Sequence, residues 1–307
     1  MATASEKLAL TGGGAAVKNS ASLIERAYRG AVTPEEDKYV RHLGQALEKV
    51  TDWENTVTGS TSEAWKASPG SELATDDQVA HPYTVSSASW SAITAAVSHL
   101  GTLRDSLFRE TMPGVFRVQL HTHGQLTLVR GALENASLAY WLLESDQPEE
   151  RITRRLQEDW EEARQLDTVR AETGQPSAKT MADRRSELTD VLTRAGCDPA
   201  RLKDRPGYGE IVKLAGAHQP TGAQSALVIW KMCSSLTHGE LRGLLAYLPK
   251  TTLGSPSPGM QLTEATGNVG LMTLGGLITI GTTSEALKLY KRRAHTQVQD
   301  SDSAETA

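Results

Sequence analysis

Hydrophobic residues recur at spacings of three and four along most of this chain. The pattern runs from Ser86 to Glu110, again from Phe116 to Leu143, and again from Ser145 to Thr173. This period places the apolar side chains on one face of an α-helix, whereas alternating β-branched runs, which would indicate strands, are hard to find. The pattern therefore predicts an all-α protein, a multi-helix bundle.

Start and stop signals predict the remaining helices. Thr33-Pro34-Glu35-Glu36 combines a capping residue, a proline at the first helical position and acids in the first turn, so a helix is expected from there to Val57. Further helices are expected over residues 20–29, 177–195, 209–214, 222–248 and 263–293.

Segments rich in small and polar residues indicate the organisation of the chain. We expect a disordered arm over 1–19, N-terminal helices over 20–110, a helical bundle core over 111–293 and a disordered tail over 294–307. Residues 58–84 read as a long polar connection, which is either a functional loop or a boundary. The N-terminal helices have one apolar face each, so they are expected to pack onto the bundle.

The stretch from Gly222 to Leu248 is mostly apolar and carries one histidine in its middle. Read as a single helix, it has an apolar side that includes Ala226, Trp230, Cys233, Leu241, Leu244 and Leu248. A neighbouring stripe holds Lys231, Ser234 or Ser235, His238 and Arg242. Gly239 either ends the helix just after His238 or is tolerated inside it at about 1 kcal/mol.

A second polar stripe lies on the helix predicted over 116–143, where His123, Arg130 and Glu134 follow one another at helical spacing. Arg130 and Glu134 can pair along that helix. If the two helices pack antiparallel, the stripes meet, and a neutral histidine beside a cation and an acid can act as general acid or base near pH 7.

The candidate site follows from this juxtaposition. The candidate catalytic residues are His238, Lys231, Arg130 and Glu134, and the candidate binding residues are Ser235, Arg242 and His123. The competing interpretation is a structural one, in which Arg130 and Glu134 form an internal ion pair and His238 is hydrogen-bonded to a carbonyl group. The sequence alone does not decide between the catalytic and the structural interpretation.

Composition narrows the function class. A formal charge of -5 argues against a general polyanion binder but allows a local basic patch. Cys197 and Cys233 have no metal-site spacing, and free buried thiols fit a reducing cytoplasm.

The N-terminus lacks the pattern of a signal peptide. Residues 265–284 carry no formal charge but are rich in glycine and threonine, which favours a packed core helix over a membrane span.

Motifs for cofactor or metal chemistry are absent from the sequence. It contains no phosphate-binding glycine loop with its lysine, no dinucleotide fingerprint, no nucleophile elbow and no HExxH motif. His121, His123 and His238 are a conceivable zinc triad, but two of them lie two residues apart and point in different directions on a helix. We therefore expect neither a cofactor nor a metal.

A family resemblance adds to this reading. Three features follow one another over about residues 115–293: a helix with Arg130, Glu134 and Trp141-Leu142-Leu143, then an acidic helix, then Ser234-x-x-x-His238 followed by glycine. This arrangement resembles the bacterial HEPN-like helical proteins, in particular an uncharacterised actinobacterial-type group. The resemblance implies a four-helix core that often dimerises. In active members an arginine and a histidine four to six residues apart on one helix cleave RNA, commonly in toxin–antitoxin or phage-defence settings. Here Lys231 stands where that arginine would be. Lysine cannot form the two parallel hydrogen bonds to a phosphate that an arginine guanidinium forms.

Three functions are therefore expected in order. The first is an intracellular, cytoplasmic bacterial protein of HEPN-like type that binds a partner, a nucleotide or RNA, as a homodimer or with another protein. The second is a metal-independent ribonuclease that uses His238 with Lys231 or Arg130. The third is an assembly protein that oligomerises through its C-terminal helix. Whether the protein is an enzyme stays open at this point.

Overall fold

The computed structural model describes residues 24–26, 33–59, 63–113 and 115–295. These residues form ten α-helices: α1 (Pro34–Thr58), α2 (Glu72–Ala80), α3 (Val85–Leu107), α4 (Gly124–Glu144), α5 (Pro148–Thr173), α6 (Met181–Arg194), α7 (Tyr208–Gly216), α8 (Gly222–Thr237), α9 (Leu241–Tyr247) and α10 (Val269–Ala294). The prediction of an all-α multi-helix bundle is confirmed. The arm expected over 1–19, and all but the first two residues of the tail expected over 294–307, lie outside the described residues.

The start of α1 follows its sequence signal. Thr33 caps the helix, and its hydroxyl oxygen accepts a hydrogen bond from the Glu36 backbone N–H at 3.2 Å. The Glu36 carboxylate accepts in turn from the Thr33 backbone N–H at 2.9 Å. This reciprocal capping box satisfies two backbone donors that the first helical turn would otherwise leave without partners.

Two small sheets were not predicted. β1 (Ile24–Arg26), β2 (Phe108–Met112) and β3 (Val115–Val118) form one sheet in the order β1-β3-β2, with β1 parallel and β2 antiparallel to β3. β4 (Lys250–Gly254) pairs with β5 (Leu262–Ala265) as an antiparallel hairpin. The prediction of a helix over 20–29 is therefore wrong at residues 24–26.

Two predicted helix starts and one predicted connection are also wrong. The helix expected from Phe116 begins at Gly124, because the preceding residues form β3. The helix expected from Thr263 begins at Val269, after β5. The connection expected over 58–84 contains α2, whose first turn is capped by Ser71, with the hydroxyl accepting from the Ala74 N–H at 3.2 Å. Each missed element is short, and short elements show too few periods for a pattern to register.

Helix α4 lies at the centre of the bundle. Its buried side chains occupy almost the whole of its circumference over Ala136–Leu143. Helices α3, α7, α8 and α10 pack around it, and α1 packs against α3 and α10. Buried residues from α1 to α10 form one continuous hydrophobic core, so the N-terminal helices and the later ones share a single interior.

Helix α10 packs through glycines. A Cβ atom at Gly276 would lie 2.6 Å from Leu43 Cδ1 of α1, and one at Gly275 would lie 3.1 Å from Val129 Cγ1 of α4. These glycines therefore allow close contacts inside the chain, as expected for a packed core helix. Among the described residues, none of the helices has the length and apolar character needed to cross a membrane.

Candidate functional site

Polar contacts join helix α4 to helix α8 and its C-terminal cap. They are His123 Nδ1 to Leu236 O (2.8 Å), Arg130 Nη1 to His238 Nε2 (3.0 Å) and Trp230 Nε1 to Glu134 Oε1 (2.7 Å). Residues of the two polar stripes, Arg130 and His238, are therefore in contact.

A glycine turn at the end of α8 determines where His238 lies. His238 is the C-terminal cap, and Gly239 follows with φ +67°, in the left-handed region. The Glu240 N–H donates to Ser235 O and the Gly239 N–H to Leu236 O, both at 3.1 Å, which is the Schellman pattern of helix ends. The single helix over 222–248 is therefore wrong, and Gly239 ends it just after His238. Helix α9 starts anew at Leu241.

Arg130 connects the other members of the site. Its Nε donates to Glu134 Oε1 at 2.9 Å while its Nη1 lies 3.0 Å from His238 Nε2. The guanidinium carbon lies 5.9 Å from the centre of the Trp230 ring, a cation–π distance. The side chains of Arg130 and Glu134 are 22% and 20% exposed, so the pair is partly open to solvent rather than sealed in the core.

The Arg130–His238 contact determines the tautomer of His238. A guanidinium group has only donors, so His238 Nε2 accepts and the ring proton is carried on Nδ1. His238 is exposed. To an incoming ligand, the neutral ring in this arrangement presents an N–H donor, while its lone pair is engaged by Arg130.

The other predicted residues are placed differently. Ser235 Oγ donates to Glu240 Oε2 at 2.6 Å, and His123 Nδ1 is bonded to a backbone carbonyl group, so both have local structural partners. Lys231 and Arg242 are exposed, and neither side chain forms a hydrogen bond or ion pair within the described residues. The structure thus brings Arg130, Glu134 and His238 together and leaves Lys231 and Arg242 exposed to solvent.

The structural interpretation, an internal ion pair with His238 hydrogen-bonded to a carbonyl group, agrees with the structure in one respect only. Arg130 and Glu134 do form the ion pair that it requires. His238, however, contacts the Arg130 guanidinium instead of a carbonyl group, and the group is not buried.

Trp230 is the member of the site that the sequence reading missed. The apolar spacing predicts it on the buried face of its helix, yet its indole N–H donates to Glu134. A signal was available, since a buried or half-buried indole usually finds an acceptor, and an acid on the facing helix is the natural one.

A row of cation–aromatic contacts extends from the site. Arg130 lies over Trp230, Arg205 lies 4.9 Å from the Tyr208 ring centre, and Lys203 lies 5.9 Å from that of Trp160. A Cβ atom at Gly209, the residue after Tyr208, would lie 3.6 Å from the Trp230 ring, so the first two contacts adjoin. Burial, followed by the nearby Glu158 carboxylate, raises the pKa of Tyr208.

The cysteines are buried and free, as predicted. Burial raises the pKa of the Cys233 thiol to about 12, so it stays protonated at neutral pH and is no nucleophile. In the part of the chain that the structure describes, no three His, Cys, Asp or Glu side chains are grouped so that they could hold a metal ion. The three-histidine alternative therefore has no geometric basis.

Comparison with known proteins gives no relative: no protein-family model, no curated protein and no solved structure matches this chain.

Proposed function

We propose that this protein is a HEPN-like, cytoplasmic bacterial protein that binds single-stranded RNA by its phosphate groups at the Arg130–His238 pair. One observation carries the proposal: a partly exposed guanidinium, held by Glu134 and Trp230, contacts the exposed residue His238, while two exposed cations of the same segment, Lys231 and Arg242, have no polar partner among the described residues. Guanidinium, ammonium and imidazole N–H groups are donors that phosphate oxygens accept.

Charge is consistent with a local patch of this kind. The whole chain carries a formal charge of -5, so long-range attraction does not favour nucleic acid. Binding must therefore come from close contacts at Arg130, Lys231 and Arg242. The Trp230 and Tyr208 rings offer π-faces for unstacked bases, the usual companion of phosphate contacts in single-strand binding.

Binding is favoured over cleavage because of the histidine geometry. A general base must offer a free lone pair to the 2′-hydroxyl proton. In His238 the Nε2 lone pair is engaged by Arg130, and Lys231 replaces the arginine of the family pattern. Ribonuclease activity is the alternative. It requires the Arg130–His238 contact to break, so that the Nε2 lone pair becomes free. RNA cleavage by wild type and His238→Ala in excess EDTA tests it, and EDTA-resistant cleavage that disappears in the variant would establish the enzyme.

The binding proposal is tested by fluorescence anisotropy with a labelled single-stranded RNA at several salt concentrations. Lys231→Gln and Arg242→Gln are each expected to weaken binding and to reduce the slope of log K against log salt by about 0.7, the value for one lost phosphate contact. Lys213→Gln is the matched control, because Lys213 is a partly exposed lysine on α7 that is paired with Glu210 at 3.2 Å. Equal affinity and slope in all three variants would contradict the proposal.

A protein partner or a second copy is the other part of the proposal. Leu241 and Leu245, one turn apart on α9, are 68% and 41% exposed, and a contact surface would explain such leucines. The glycines of α10 support oligomerisation less, because Gly275 and Gly276 already contact side chains of the same chain. A mass equal to the monomer at high concentration in light scattering would remove the homodimer. The toxin–antitoxin or phage-defence setting rests on the family resemblance alone.

A further inference from the structure

A cavity of about 470 Å³ lies away from the Arg130–His238 pair, between α5 and the turn that leads into α7. It is lined by Gln157, Trp160, Glu161, Arg164, Lys203, Arg205, Pro206 and Gly207. A neighbouring cavity of about 350 Å³ shares Trp160, Glu161 and Arg164 with it. The first volume falls within the roughly 300–1,000 Å³ that small-molecule sites occupy.

The walls of this cavity, which we name the Trp160 cavity, are held in place by buried polar contacts. Gln157 is 2% exposed, and its side-chain amide donates to Arg201 O at 2.8 Å. Arg205 Nε donates to Glu158 Oε2 at 2.5 Å, with 12% and 7% of these side chains exposed. The cavity therefore has a preformed floor rather than a collection of mobile surface chains.

The charge of the lining is positive. Arg205 is neutralised by Glu158, and Arg164 is paired with Glu161 at 2.8 Å but remains 59% exposed. Lys203 is exposed and has no ion pair within the described residues; its ammonium group lies 5.9 Å from the centre of the Trp160 ring. One uncompensated cation thus stands beside an aromatic face.

We propose that the Trp160 cavity binds a small planar anion of the nucleoside monophosphate class. The ring of such a ligand stacks on the Trp160 indole, and its anionic group is held by Lys203 and Arg164. Neither half suffices alone, because stacking on one ring and one exposed ammonium group are each weak.

The inference does not rest on the RNA proposal, and isothermal titration calorimetry of the full chain with AMP tests it. We expect saturable binding, with adenosine and inorganic phosphate each weaker than AMP by about tenfold or more. Lys203→Gln is expected to weaken AMP binding by about tenfold, and the control Lys213→Gln to leave it unchanged. Trp160→Leu is expected to abolish it while the far-ultraviolet circular dichroism spectrum is retained.

Titrations in a His238→Ala background separate the two sites. If AMP binds in the Trp160 cavity, its binding persists in the His238→Ala variant and still depends on Lys203. Loss of AMP binding in His238→Ala, with no effect of Lys203→Gln, would assign AMP to the Arg130–His238 pair and overturn the inference. Equal affinity for AMP and adenosine, or no saturable binding of AMP, would overturn it as well, whatever the outcome of the RNA experiments.

Discussion

At the scale of single residues, Gly239 controls the position of His238. Its φ of +67° lies in the region that costs a residue with a Cβ atom about 1–2 kcal/mol. We expect Gly239→Ala to lower the free energy of unfolding by that amount and also to shift His238 away from Arg130. Urea unfolding measures the first effect, and RNA anisotropy the second.

Gly174→Ala is the matched control for this prediction. Gly174 ends α5 with φ +64° and has no atom near its missing Cβ position, so its substitution should cost a similar free energy. It lies outside the proposed site, and RNA affinity should be unchanged. If both variants weakened RNA binding equally, the effect of Gly239 would be one of general stability.

The indole N–H of Trp230 offers a second residue-scale test. Trp230→Phe keeps an aromatic ring beside Arg130 but removes the donor to Glu134 Oε1 at 2.7 Å. Because Glu134 is 20% exposed and water can partly replace the indole, we expect a loss of about 1 kcal/mol in the free energy of unfolding. A double-mutant cycle with Glu134→Leu, which removes the acceptor, checks the assignment. Strict additivity of the two losses would show that the contact contributes nothing.

At the scale of elements, the glycines of α10 determine how closely α1 approaches. Gly→Ala in an exposed helix usually stabilises, but a Cβ atom at Gly276 would lie 2.6 Å from Leu43 Cδ1, in the core. We expect Gly276→Ala to destabilise by about 1–3 kcal/mol through overpacking, measured by thermal or urea unfolding. Gly270→Ala is the control on the same helix, where the nearest atom is 3.4 Å away, and it should be neutral or stabilising.

The long helices could be read from the sequence, and the short elements could not. Apolar spacing and caps such as Thr33 located most long helices to within a few residues, because many turns repeat the same signal. Strands of three to five residues, such as β3, repeat nothing and depend on partners far along the chain. Arg130, Glu134 and His238 were found by the same spacing, whereas Trp230 and the Trp160 cavity depend on packing between helices that spacing does not specify.

The junction of α5 with the turn at Pro199–Lys203 predicts a response to pH. The Arg201 guanidinium, aided by Arg154, holds the pKa of Glu150 below its usual 4.5, while partial burial opposes the shift. A carboxyl whose folded pKa is lowered stabilises the fold above its unfolded pKa, and this stability is lost as the pH falls through the folded pKa. Glu150→Gln should therefore lower the melting temperature at pH 7, and the difference from wild type should shrink below pH 4.5.

The control for Glu150 is Glu172→Gln near the exposed end of the same helix. Glu172 is exposed and has no hydrogen bond or ion pair to a described residue. The melting temperature of Glu172→Gln should equal that of wild type at every pH. A deficit in Glu150→Gln that stayed constant down to pH 3 would show a packing effect instead of a lost ion pair.

At the scale of the whole molecule, Arg293 at the end of α10 binds segments that are distant in sequence. Its side chain is 2% exposed, donates to Leu143 O at 2.6 Å and to Asp146 at 2.7 Å, and also pairs with Glu72. These partners lie at the end of α4, in the connection just before α5 and in α2. The last helix is thereby attached to both early and middle parts of the chain, which share one core.

We therefore expect Arg293→Met to lower the stability of the entire protein. The carboxylates remain solvated, since Asp146 and Glu72 are 86% and 47% exposed, so the main loss is at the buried carbonyl of Leu143, and about 3 kcal/mol is expected. Because the core is continuous, unfolding should stay a single transition at lower urea concentration. Arg292→Met, at the exposed neighbour, should be near neutral. If Arg293→Met split the transition into two steps, α10 would be a separately unfolding unit and the single-core description would be wrong.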